Sequence, residues 1–115
     1  MTKQNLNVPF AVHPGEYIKM ELEGRGIMQK DFADVLGITK VEVSNIINGK
    51  RNITTRLAVR IGEAFGTGPE TWINLQTMYD LWILKQNKKE VKQWKVIPQR
   101  MSVFYRKPEV DLEYA

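Results

Sequence analysis

Residues 29–48 read QKDFADVLGITKVEVSNIIN, and their spacing predicts two short helices joined by a tight turn. In the first, residues 29–36, Phe32, Ala33 and Leu36 share one face, and Gly37 stands where a left-handed helix end favours a residue without a Cβ. The second, residues 40–47, opens on the capping box Thr39-x-x-Glu42 and turns Val43, Ile46 and Ile47 inward. Two helices crossing at roughly 90–120° need a small residue at the crossing, a glycine at the turn and apolar anchors that lock the second helix. Ala33, then Gly37, then Ile38, Val43 and Ile46 supply these in order. Lys40, Val41, Ser44, Asn45 and Asn48 are left pointing outward. That is the disposition of a helix whose N-terminal residues reach base edges in the DNA major groove.

Three further helices surround this pair, so the expected fold is all-α with five helices. Before the pair, His13 serves as N-cap, Pro14 as the first helical residue and Glu16 as the third. Ile18 and Leu22 repeat at i, i+4, Gly26 stops the run, and Phe10 and Val12 are placed to pack back onto its first turn. After the pair, Thr54 caps a helix over residues 55–65 that buries Leu57, Ala58, Ile61 and Phe65 and ends at Gly66. A fifth helix begins at Pro69, with Trp72, Leu75, Tyr79, Trp82 and Ile83 on one broad face. Met78, Leu81 and Leu84 make its other side apolar as well. Met78, Leu81, Trp82 and Leu84 therefore read as a dimer interface, unless the tail folds back over them.

The domain boundary falls at residue 87, with an extension over residues 88–115. Residues 88–94 continue the last helix on this reading, Pro98 ends it, and residues 101–105 form a short strand or a docked arm. The extension is basic and then acidic. Residues 85–107 carry eight Lys or Arg and one acid, interleaved with Trp94, Phe104 and Tyr105, whereas residues 108–115 carry three acids and no base. Such a basic, aromatic segment fits either nucleic-acid contact or a solvated tail.

Composition excludes most other chemistries. A length of 115 residues suits one core with a short appendage. There is no cysteine, which removes disulfides, thiolate metal sites and cysteine nucleophiles together. The single histidine, His13, has only Ser44 and Ser102 as serine partners, both distant in sequence, so no catalytic residue is assigned. Neither a metal nor a cofactor is expected. No stretch approaches the ~20 apolar residues of a membrane span, and residues 1–10 lack a signal-peptide pattern, which places the chain in the cytoplasm.

The pattern Gln29-x-x-x-Ala33-x-x-x-Gly37 with Val43 and Ile46 resembles the helix-turn-helix of the Xre, or phage-repressor, family. The stretches His13-Pro14-Gly15-Glu16, Gly49-Lys50-Arg51, Leu57-Ala58-x-x-Ile61 and residues 66–81, GTGPETWINLQTMYDL, are similar to its HigA/VapI branch. Members of that branch are antitoxins of type II toxin–antitoxin modules. As dimers they neutralise a small, basic, mRNA-cleaving toxin of the HigB type and repress their own operon at a palindromic operator. The resemblance implies those partners here: double-stranded operator DNA, a second copy of the chain and a small toxin. The alternative is a stand-alone Xre-type repressor.

The resemblance gives each outward residue a role. Lys40 donates to guanine, Asn45 pairs with adenine, Val41 meets a thymine methyl and Ser44 is permissive. Gln29, Thr39, Asn48, Lys50 and Arg51 are implied phosphate contacts that fix the register. Met28 departs from the family by standing where Ser or Thr usually caps the second helix. Glu42 places a negative charge in the recognition helix, either as capping partner or as acceptor from a cytosine.

Overall fold

The Nδ1 atom of His13 accepts the Gly15 N–H at 2.9 Å, and with Pro14 behind it this starts the first helix. The computed structural model describes residues 11–104, and all regular structure among them is helical: α1 (Pro14–Arg25), α2 (Gln29–Leu36), α3 (Lys40–Ile47), α4 (Thr55–Phe65), α5 (Pro69–Gln86) and α6 (Lys88–Met101). The first four follow the sequence expectation at both ends. Phe10, Tyr105 and the acidic residues 109–113 lie outside the described residues. The chain divides within α5 into one compact unit through Trp82 and a second from Ile83.

In the first unit, α2 packs on α3 and α4, and α1 packs on α3. Ile18, Leu36, Val43, Ile46 and Ile61 are almost wholly buried at the centre, each contributing about 1.5–3 kcal/mol by leaving water. Aromatic rings close one end: Phe32 stacks on Phe65 at 5.1 Å, and Phe65 meets Trp72 at 5.7 Å. Arg25 lies 4.9 Å over the Phe65 ring and donates to the Phe65 carbonyl at 3.3 Å. That contact ties the end of α1 to the end of α4.

Two features differ from the sequence reading. The apolar face of α5 is fully buried only near its start, where Trp72 and Gln76 are covered; Leu75, Tyr79 and Trp82 are half-buried and Ile83 is exposed. At 18 residues α5 is longer than the helices of 8 to 12 residues around it, so at ~1.5 Å per residue it outruns the core.

Where the sequence reading has residues 88–94 continue the last helix and Pro98 end it, the second difference is a separate sixth helix that passes Pro98. Asn87 caps it by accepting the Glu90 N–H at 3.1 Å, and it continues through Pro98 to Met101. A proline this near a helix end removes one backbone bond, and the Pro98 carbonyl still accepts the Ser102 N–H at 3.1 Å. Residues 102–104 form a turn, so neither strand nor arm is found in the described part of residues 101–105.

Candidate nucleic-acid interface

The helix α3, expected to read bases, is fixed from three sides. Thr39 and Glu42 form the reciprocal capping box: the Glu42 N–H donates to Thr39 Oγ1 at 3.0 Å, and the Thr39 N–H donates to Glu42 Oε1 at 2.9 Å. Val43, Ile46 and Ile47 are buried beneath it. At its far end Gly15 of α1 lies so close to the Ile46 carbonyl that a Cβ there would overlap the oxygen.

The loop after α3 folds back on the helix. The Asn45 carbonyl accepts the N–H groups of Lys50 at 2.8 Å and Arg51 at 3.2 Å, while Gly49 makes the turn at a φ of 75°. Lys50 is thereby held beside the end of α3 with its side chain exposed.

The residues expected to read bases share this helix. Lys40 and Val41 are exposed, Val41 with 68% of its surface free, while Ser44 and Asn45 are half-buried. Ser44 Oγ accepts from Asn48 Nδ2 at 3.3 Å, which leaves its hydroxyl proton for an outside acceptor. Thr39 likewise keeps its hydroxyl proton, because its oxygen serves as the acceptor in the cap. Gln29, half-buried, opens α2, where Met28 supplies no side-chain cap. Among the described residues no side chain is found capping the start of α2, as the sequence anticipates.

Arg51 stands differently from the other expected phosphate contacts. Its Nη1 donates to Glu42 Oε2, and the two form an ion pair between the loop and the first turn of α3. Glu42 is thus the capping partner, its two oxygens divided between Thr39 and Arg51. The Thr39 N–H, followed by the Arg51 guanidinium, holds the Glu42 carboxyl below the usual carboxylate range. Among the described residues the other ion pair is Glu21–Arg25, so neither Lys40 nor Lys50 shares its charge in one.

Three supporting contacts were not read from the sequence. Gln76, buried on α5, accepts the Ile53 N–H at 2.7 Å and donates to Asp80 at 2.9 Å. Arg60 of α4 donates to the Leu36 carbonyl at 3.0 Å and so braces the end of α2. Tyr79 meets the His13 ring edge-on at 5.0 Å. The Gln76–Ile53, Arg60–Leu36 and Tyr79–His13 contacts each join residues far apart in sequence. A buried glutamine at i+4 from Trp72 is the one local signal among them.

The helix-turn-helix family model (HTH_3) matches residues 18–72, the region from α1 into α5. The antitoxin HigA-1 of Vibrio cholerae is 42% identical over 72 residues, 62% of this chain and 68% of that protein. The chain belongs to the helix-turn-helix family HTH_3. Among solved structures, an addiction module antidote protein of the HigA family from Coxiella burnetii superposes at a TM-score of 0.66 with 37% identity, covering 73% of this chain and 94% of that one. A further neighbour, PA4674 of Pseudomonas aeruginosa, was solved in complex with its 18 bp operator DNA; it has a TM-score of 0.65 and 30% identity over 72% of this chain and 91% of that one. HTH_3 proteins are DNA-binding regulators and antitoxins, a class without enzymatic activity. Among the described residues no helix is long and apolar enough to cross a membrane.

Proposed function

We propose that this chain is the antitoxin of a type II toxin–antitoxin module: a cytoplasmic homodimer that represses its own operon and neutralises a small, HigB-like mRNA-cleaving toxin. The observation that carries the DNA half of this reading is the exposed first turn of a rigidly held α3 beside Lys50. Lys40, Val41, Ser44 and Asn45 read bases there, each good pair being worth about 1–3 kcal/mol of discrimination. Gln29, Thr39, Asn48 and Lys50 contact phosphates and set the register. Operator binding by PA4674 and the antitoxin role named for HigA-1 support the reading.

Dimerisation rests on α5. Met78, Leu81 and Leu84 are 53%, 42% and 42% exposed and spaced three apart, and Trp82 is half-buried on the same helix. Apolar side chains repeated at that spacing suit a second helix of the same kind.

The test has two arms. Native purification from the source cell, with mass analysis, is expected to recover a stoichiometric small basic chain that stops growth when expressed alone. A dimer that binds a palindrome but carries no such chain would instead make this a stand-alone repressor. In the second arm, Lys40→Ala and Asn45→Ala should each flatten sequence preference in a binding selection from random duplexes. Unchanged preference in both would remove α3 as the reading element.

A further inference from the structure

The Glu42–Arg51 pair joins the loop after α3 to the first turn of that helix, and it is one of two ion pairs among the described residues. Both partners are on the surface, with side chains 37% and 36% exposed, yet both are anchored. Glu42 is fixed through the Thr39 N–H, and Arg51 through its own N–H on the Asn45 carbonyl. Lys50, one residue earlier and tied to the same carbonyl, has no such counter-charge in any described ion pair. Two adjacent cations on one loop are therefore in opposite electrostatic states.

We propose that Glu42 is a specificity-determining positioning residue: it holds Arg51 on α3 and so keeps that cation from neutralising a DNA phosphate. The proposal rests on the DNA-binding reading and reassigns Arg51 within it, from backbone contact to brace. Non-specific affinity comes almost entirely from cations that displace counterions from phosphates, and each one adds to attraction for every sequence alike. A guanidinium kept on a carboxylate leaves that sum smaller by one. Base contacts from Lys40 and Asn45 are untouched by it, so the ratio of operator to random binding rises. The same brace sets the first turn of α3 against the loop, which aligns the residues that read bases.

Salt titrations of binding test this, using a duplex enriched by the protein from a random pool and a scrambled duplex of equal length. Glu42→Gln keeps an oxygen for the Thr39 N–H and removes the charge that holds Arg51. It should steepen the slope of log K against log salt by about 0.9, raise affinity for the scrambled duplex several-fold and narrow the operator-to-scrambled ratio. Adding Arg51→Ala to Glu42→Gln should return the slope to the wild-type value, and Arg51→Ala alone should leave it there.

A slope lowered by about one in Arg51→Ala alone would place Arg51 on a phosphate and overturn the proposal, as would no steepening in a folded Glu42→Gln. Where Glu42→Gln lowers the melting temperature, the Arg51→Ala slope decides by itself. Lys50→Ala is the reference, expected to lower the slope by about one in any background. If the wild type enriches no duplex, the DNA-binding reading fails and this one with it; if it does and the slopes behave as for a free Arg51, only the brace fails.

Discussion

Gly15→Ala and Gly24→Ala make the same change in the same helix and are expected to move stability in opposite directions. Both glycines have ordinary right-handed backbone within α1, so alanine gains helix propensity at each, about 1 kcal/mol in a helix interior and less in the first turn. At Gly24 no atom beyond the local chain lies within 4 Å of the new Cβ, so that gain stands alone and stabilises by about 0.5–1 kcal/mol. At Gly15 the Cβ would overlap the Ile46 carbonyl oxygen and lie 2.8 Å from its carbon and 2.9 Å from the Ile47 Cα. These are backbone atoms of α3, and no side-chain rotation relieves the overlap. The helices must separate, and overpacking of this kind costs about 1–3 kcal/mol. The steric cost outweighs the gain in propensity, and the net loss is about 1–2 kcal/mol. Urea unfolding followed by circular dichroism measures both variants. Gly15→Ala should also weaken operator binding, because the element displaced is the recognition helix, while Gly24→Ala should not. A Gly15→Ala protein as stable as the wild type would refute the close approach of α1 to α3.

Gln76→Leu leaves the buried Ile53 N–H without its acceptor and should lower stability by about 1–3 kcal/mol in the same urea assay; a change within about 0.5 kcal/mol would show that this bond is dispensable. Glu42 binds its proton less readily in the folded chain than its ordinary value of 4.5 implies, so its contribution to stability is complete above that value and is lost as pH falls through the lowered one. A carboxyl NMR titration should accordingly give Glu42 a midpoint below the ordinary one, and a midpoint at or above it would remove the cap and the Arg51 pair as causes. Leu81→Asp should convert the protein to a monomer by light scattering and weaken operator binding with it, since two half-sites about 34–36 Å apart need two linked recognition helices. A wild-type monomer at micromolar concentration would end the dimer assignment.

What could be read from the sequence was what local rules determine. His13 before Pro14, Thr39 with Glu42, Thr54 and Gly37 act on groups within four residues of themselves, and each is found in its expected role. Burial of Val43 and Ile46 follows from a period of 3.6 and needs no knowledge of the neighbouring helix. The contacts that tune the surface obey no such rule. Glu42 could be read as a capping partner because Thr39 is three residues away, but its second oxygen meets Arg51 across nine residues and a glycine turn. Only the folded loop brings them together. The same limit applies to α6, where Pro98 reads locally as an end, whereas a proline three residues before the last helical residue interrupts just one bond and the helix passes through it. A charged residue on a recognition helix therefore has two readings from sequence, and the geometry separates them. Each Glu42 oxygen already accepts one bond within the protein, which fixes the carboxylate between the Thr39 N–H and Arg51, and on the proposed reading its effect on DNA acts through the cation it holds.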